Sequence, residues 1–208
     1  GGRRAGAHPL LGTGWEPAAT PGQHIWEVDL DAQTPHYLKD HGILNSTVFP
    51  GAGYLEMALA AAEQIAAGAG WAAKDVRFER LMILTGEVAT RVQCVLTPAA
   101  RDEYEFAIYS RPAGGDQAWT RHAHGVLRKQ VGVQGGSEAV DIDALLARCP
   151  QPLATDDIYR DLAERHLRYG PAFRGVTALN LGAGEALSRV ELPAQVAPEA
   201  KNHQLYPT

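Results

Sequence analysis

A chain of 208 residues, 45% hydrophobic and 21% charged, has ordinary globular composition, enough for one large domain or two small ones. A net charge of −5, without a basic stripe interleaved with aromatics, argues against a nucleic-acid partner, and no apolar run approaches the length of a membrane span. The two cysteines, Cys94 and Cys149, lack metal-ligand spacing to another Cys or a His, so neither a disulfide scaffold nor a metal site is indicated and a cytoplasmic setting is expected.

No charged-then-apolar signal peptide opens the chain; Gly1–Gly6 reads as a linker. His24–Leu30 (HIWEVDL) alternates apolar and polar residues, as a half-buried strand does. Pro50 suits the first position of a helix, and Gly51–Ala67 (GAGYLEMALAAAEQIAA) carries Leu55, Ala58, Leu59, Ala62 and Ile65 on one face before Gly68 and Gly70 end it. Four strand-like runs follow: Asp75–Leu84, Thr90–Pro98, Tyr104–Arg111 and Trp119–Lys129, with a turn at Pro112–Asp116. Strand, long helix and several antiparallel strands predict an α+β layer, one sheet wrapped on one helix. Gln130–Thr155 reads as a connector with a short helical turn near Ile142–Ala147. Asp157–His166 predicts a short helix that Asp156 could cap, and Val176–Leu181 and Ala186–Glu191 predict strands before a loop at Pro193–Lys201. The expected division is a first unit over 1–132, a linker over 133–155 and the start of a second unit over 156–208, where no long helix is evident.

The chemistry-bearing residues lie in Tyr37–Met57 (YLKDHGILNSTVFPGAGYLEM) and Tyr169–Val176 (YGPAFRGV), with weaker signals in His8-Pro9-Leu10-Leu11-Gly12 and Trp119–Arg128. Together these resemble polyketide synthase dehydratase domains. In that family a catalytic His is followed four residues later by Gly and nine residues later by Pro; His41 and Pro50 keep their places, and Asn45 stands where Gly is usual. The resemblance implies a double hotdog, two helix-in-sheet units sharing a cleft. The first would be complete here and the second partial. It also implies removal of water from a β-hydroxyacyl thioester carried on an acyl carrier protein, giving an α,β-unsaturated thioester.

Such chemistry needs a base near neutrality, which imidazole supplies, and His41 takes that role by resemblance. The free N–H groups opening the Pro50 helix would hold the thioester oxygen, with Gly51 the candidate amide because glycine permits close approach. Phe49, Pro50, Gly51, Tyr169 and Gly170 are the expected substrate contacts, and His41 is expected to project into an apolar tunnel beside those amides. The family's second motif, close to His-Pro-x-Leu-Leu-Asp-x-x-x-Gln, resembles Gln204–Thr208, with Tyr206 in place of His. Its Asp would fall three residues past Thr208, so the chain is expected to be a fragment holding one of two catalytic groups. No cofactor or metal is expected. The implied partners are the acyl carrier protein, neighbouring synthase domains and a second copy, met through edge strands near His24–Leu30. A product-template, isomerising or cyclising relative, and an inactive dehydratase-like spacer, remain as alternatives.

Several residues carry blander expectations. Asp40 is read as structural, and Asn45 either as a tolerated turn residue, because Asn visits left-handed backbone, or as the mark of an altered subtype or weakened site. His122 and His124, at strand spacing, should face one side without a third ligand. His203 is expected in solvent. Phe173 is expected as a core aromatic. Arg168, Arg174 and Lys201 are cations that could meet an acidic carrier protein.

Overall fold

The computed structural model describes residues 4–5, 8–130 and 140–208. In chain order the elements are β1 (Arg4–Ala5), β2 (Thr13–Trp15), β3 (His24–Leu30), β4 (His41–Ile43), β5 (Ser46–Val48), α1 (Gly51–Ile65), β6 (Trp71–Phe78) and β7 (Ile83–Leu84). There follow β8 (Thr90–Ala100), β9 (Glu103–Pro112), β10 (Thr120–Lys129), α2 (Ile142–Arg148), β11 (Gln151–Leu153), α3 (Thr155–Glu164), β12 (Leu167–Tyr169), β13 (Val176–Leu181) and β14 (Ala186–Val190). The start of the predicted connector, and most of Gly1–Gly6, lie outside the described residues.

A seven-stranded antiparallel sheet runs in the order β1-β2-β3-β8-β9-β10-β6. Period-2 alternation decides which face is buried. Val92, Cys94 and Leu96 on β8, and Phe106 and Ile108 on β9, point inward onto α1. The helix answers with small side chains: Ala58, Ala61 and Ala62 are fully buried beside Met57, so backbone and sheet approach closely. Its alanines also favour the helix intrinsically. Truncating a fully buried residue such as Ile108 to alanine would cost about 2–5 kcal/mol.

A four-stranded ribbon, β12-β4-β5-β7, lies apart from the large sheet and carries the expected active-site segment. A third sheet, β11-β13-β14, forms the beginning of a second unit. The α+β expectation and the arrangement of one sheet on one long helix therefore hold, and the longest helix beyond residue 140 is the ten-residue α3.

Several boundaries differ from expectation. The run Asp75–Leu84 is not one strand: Asp75 sits at φ 51°, β6 ends at Phe78, and Ile83–Leu84 crosses to pair with β5. The helix ends at Ile65, with Gly68 and Gly70 at φ 71° and 66° completing the turn. Within the expected linker, β11 pairs with β13, so Gln151–Leu153 belong to the third sheet. Asp156 does not cap α3; the helix starts at Thr155 after Ala154, and Asp156 and Asp157 lie in its first turn, where the helix dipole favours them. Strand β3 is no sheet edge: its Ile25–Glu27 bond β2 on one side and β8 on the other, so both of its ladders are filled there. Cys149, expected in a loop, is buried as the C-cap of α2, and a short 3₁₀ turn occupies Ala197–Asn202.

Candidate active site

His41 opens β4 and turns straight back through Leu44 and Asn45 into β5. In this two-residue hairpin, Leu44 takes the left-handed conformation, at φ 54°, and its N–H bonds the His166 carbonyl at 2.8 Å. Asn45 is not among the residues of positive φ, so the usual glycine has no conformational duty at that position. The left-handed conformation expected of Asn45 falls to Leu44 instead.

The hairpin brings the Val48 carbonyl to 2.8 Å from His41 Nδ1. A carbonyl only accepts, so Nδ1 carries the proton and Nε2 keeps its lone pair. Burial lowers the imidazole pKa, the larger influence, while the Val48 bond opposes it. The ring is half-buried. Tyr169 stacks on it at 5.3 Å between centroids and 21° between planes, and Phe173 packs at 4.9 Å. The result is a neutral imidazole of fixed tautomer against aromatic walls, the state a general base requires.

Tyr169 arrives by strand pairing: β12 lies antiparallel to β4, with Tyr169 opposite His41 and Arg168 opposite Gly42. Asp40 secures this junction. Its carbonyl accepts from Gly170 N–H at 2.8 Å and its Oδ2 accepts from Ala172 N–H at 2.9 Å. A Cβ on Gly170 would stand 2.5 Å from Asp40 Cγ, so the approach requires glycine. Asp40 is thus structural, as expected, and Gly170 is set by packing against it.

Beyond Val48, Phe49 is buried, donates its N–H to the Met82 carbonyl at 2.9 Å and packs on Tyr54. Pro50 is the N-cap of α1, and no side chain caps this helix start. The first amides of a helix lack intrahelical partners, and the dipole adds positive potential there. Gly51 is exposed, and a Cβ there would meet only the Phe78 ring, at 3.7 Å. The protein itself therefore does not demand glycine at 51; the open space lies on the outer side of the helix start. Phe78, Leu81 and Ile83, exposed by 56%, 62% and 55%, lie on the segment that leaves β6 beside it.

Phe173 packs against the core, as expected, and also flanks the imidazole, brought there by the 3₁₀ turn Pro171–Phe173 that follows β12. Val48 contributes through its carbonyl, which no side-chain pattern announces. His122 and His124 do not share a face. A bulge between Arg121 and Ala123 breaks the alternation, so His122 is buried against Tyr54 while His124 approaches Glu79 on the other side. His122 Nδ1 donates to the Arg80 carbonyl at 3.1 Å, leaving Nε2 to accept from the Ser110 hydroxyl at 2.7 Å. His203 is not solvated as expected: its ring packs on Tyr206 at 4.5 Å and on His8 at 5.1 Å. Among the described residues, no group of three or more His, Cys, Asp or Glu could hold a metal ion, and no helix is long and apolar enough to cross a membrane.

Family models for a polyketide synthase dehydratase domain and for a polyketide synthase dehydratase N-terminal domain match residues 8–111 and 137–208. The dehydratase domain from the CurK module of curacin polyketide synthase superposes with a TM-score of 0.87 at 30% identity, over 96% of this chain and 69% of that one. The dehydratase domain of a mycocerosic acid synthase-like synthase gives 0.86 at 28%, over 98% and 70%. Polyketide synthase GfsB of Streptomyces halstedii is 33% identical over 207 residues, 96% of this chain and 4% of its own length. Phthioceranic/hydroxyphthioceranic acid synthase of Mycobacterium bovis is 30% identical over 210 residues. The chain spans about a tenth of that relative's length.

Proposed function

Because the chain belongs to the polyketide synthase dehydratase family, we propose that it removes water from a β-hydroxyacyl thioester held on an acyl carrier protein, with His41 as the base. The observation that carries this reading is the His41–Val48 bond, which leaves Nε2 unprotonated in a ring that burial keeps neutral. Nε2 takes the proton α to the thioester carbonyl. Charge then builds on the carbonyl oxygen, and the open N–H groups at Gly51 and the next residue of α1 receive it. The electron pair of the α C–H bond becomes the carbon–carbon double bond as the carbon–oxygen bond at the β position breaks, and the leaving hydroxide takes a proton from an acid, the role that the family gives to an aspartate, and departs as water. Tyr169 and Phe173 hold the acyl chain against the imidazole and exclude water; Phe49, Pro50 and Gly170 shape the floor. In the CurK dehydratase, replacing one histidine by phenylalanine or one aspartate by asparagine yields an inactive protein, which supports a chemistry built on these two residue types.

No cofactor is needed for this elimination, since the thioester itself acidifies the α carbon. The carrier protein, neighbouring synthase domains and a second copy of the chain are the partners this reading brings. Exposed Lys39 and Arg168 border a groove of about 300 Å³ on the His41 ribbon and form a basic rim suited to an acidic carrier. The test is turnover of a β-hydroxyacyl-carrier thioester by the natural polypeptide, read as enoyl product by mass spectrometry. H41A should abolish product while leaving the fold intact; enoyl formation at the unaltered rate refutes the role of His41.

A further inference from the structure

Glu56 is fully buried on α1, 0% exposed, and takes no part in the proton transfer proposed above. A buried carboxylate is costly unless its oxygens are met by donors. Three converge on it. His8 Nε2 lies 2.8 Å from Oε1, Gln204 N–H donates to the same oxygen at 2.9 Å, and Leu205 N–H donates to Oε2. His8 Nδ1 accepts from Leu10 N–H at 3.2 Å, which places the ring proton on Nε2, so the neutral imidazole is already the donor Glu56 needs. Both ends of the described chain are thereby drawn onto one side chain of the central helix.

The segment so held reaches the catalytic ribbon. His203 and Tyr206, on either side of the two bonded amides, pack on Tyr37 at 6.5 and 5.7 Å between centroids. Tyr37 is fully buried in the 3₁₀ turn His36–Asp40, whose next residue is His41. On its far side the same turn is held by Asp40 through Gly170 and Ala172. The His41 turn is therefore gripped between two anchors, and Glu56 fixes one of them.

We propose that Glu56 is a positioning residue for the dehydration: its carboxylate holds the 203–206 strap on which Tyr37 packs, and through Tyr37 it sets the placement of His41. This rests on the reading of His41 as the base. Glutamine is nearly isosteric but cannot replace it. Its oxygen still accepts two bonds, while its NH₂ faces a backbone N–H, donor against donor.

The test compares E56Q and H41A with the unaltered protein in the full natural polypeptide, on a β-hydroxyacyl thioester. Misplacement by about 1 Å costs on the order of a hundred-fold in rate, so E56Q should lower kcat by about ten- to a hundred-fold while KM stays within about two-fold. A purely structural Glu56 would lower the melting temperature and leave kcat of the folded fraction unchanged; that result overturns the proposal. If E56Q does not fold, the double variant H203A/Y206A removes both of the strap's ring contacts with Tyr37 and leaves the carboxylate and its backbone donors in place. Reduced kcat at constant KM then supports the proposal, and unaltered kcat refutes it. Full activity of H41A would instead remove the base itself, an outcome distinct from unaltered kcat in E56Q beside an inactive H41A.

Discussion

Replacing Gly170 by alanine puts a methyl group into the junction that holds the imidazole. The new Cβ would lie 2.5 Å from Asp40 Cγ, 2.6 Å from its Oδ1 and 2.8 Å from its Cβ. Asp40 has little room to retreat, because its carboxylate bonds Ala172 N–H and its carbonyl bonds Gly170 N–H. Relief means either shifting β12 away from β4 or breaking the carboxylate bond. Overpacking costs about 1–3 kcal/mol, and a hydrogen bond to a charged group contributes about 1.5–3 kcal/mol. A loss of about 3 kcal/mol lowers the melting temperature by about 6–12 °C for a domain of this size. A shift in β12 carries Tyr169 with it and disturbs the stack on His41. G170A should therefore lose activity as well as stability. Calorimetry and thioester turnover read the two effects. In a D40A background the penalty of G170A should shrink, since most of the clash is with the removed carboxylate. An unchanged melting temperature and rate in G170A would refute the reasoning.

The lowered pKa of His41 sets a sign for two further measurements. The base must be neutral, so the acid limb of kcat/KM should fall below about pH 6.5, the ordinary histidine value; a limb above it contradicts the burial argument. On stability, the unfolded chain protonates His41 before the folded one does. This contribution is thus present above about pH 6.5 and lost as pH falls through that value toward the folded pKa; denaturant titrations of H41A against the unaltered protein should show the difference. L44G should stabilise, because a non-glycine left-handed residue costs about 1–2 kcal/mol, whereas N45G should not; calorimetry showing the reverse order would displace the strain from Leu44. S110A should cost about 1–3 kcal/mol, since the buried Nε2 of His122 would lose its donor; a denaturation midpoint equal to the unaltered protein's would mean that another donor replaces the hydroxyl.

The first unit was legible because its signals are local. Alternation in HIWEVDL and the apolar face of α1 follow from burial on one side, which periodicity reports directly. The segment around His41 was legible from its motif. Legibility failed where one residue's conformation redirects the chain. Asp75 at φ 51° and the bulge at Arg121/Ala123 reverse which face later residues take, so Asp75–Leu84 reads as one strand and His122 and His124 as neighbours. It failed again where partners are remote in sequence. Nothing around Phe173 announces an imidazole, nothing around Glu56 announces Gln204, and the apparent edge at β3 is filled by the short β2.

The register that sets Tyr169 opposite His41 joins positions far apart in the chain. On a ribosome adding roughly 5–20 residues per second, many seconds separate the emergence of the two strands. The large sheet and α1 draw on residues up to Lys129, so most of their pairing is available well before β12 exists. The reactive pocket is therefore a late product of folding. During that interval the imidazole still lacks the aromatic wall that Tyr169 supplies.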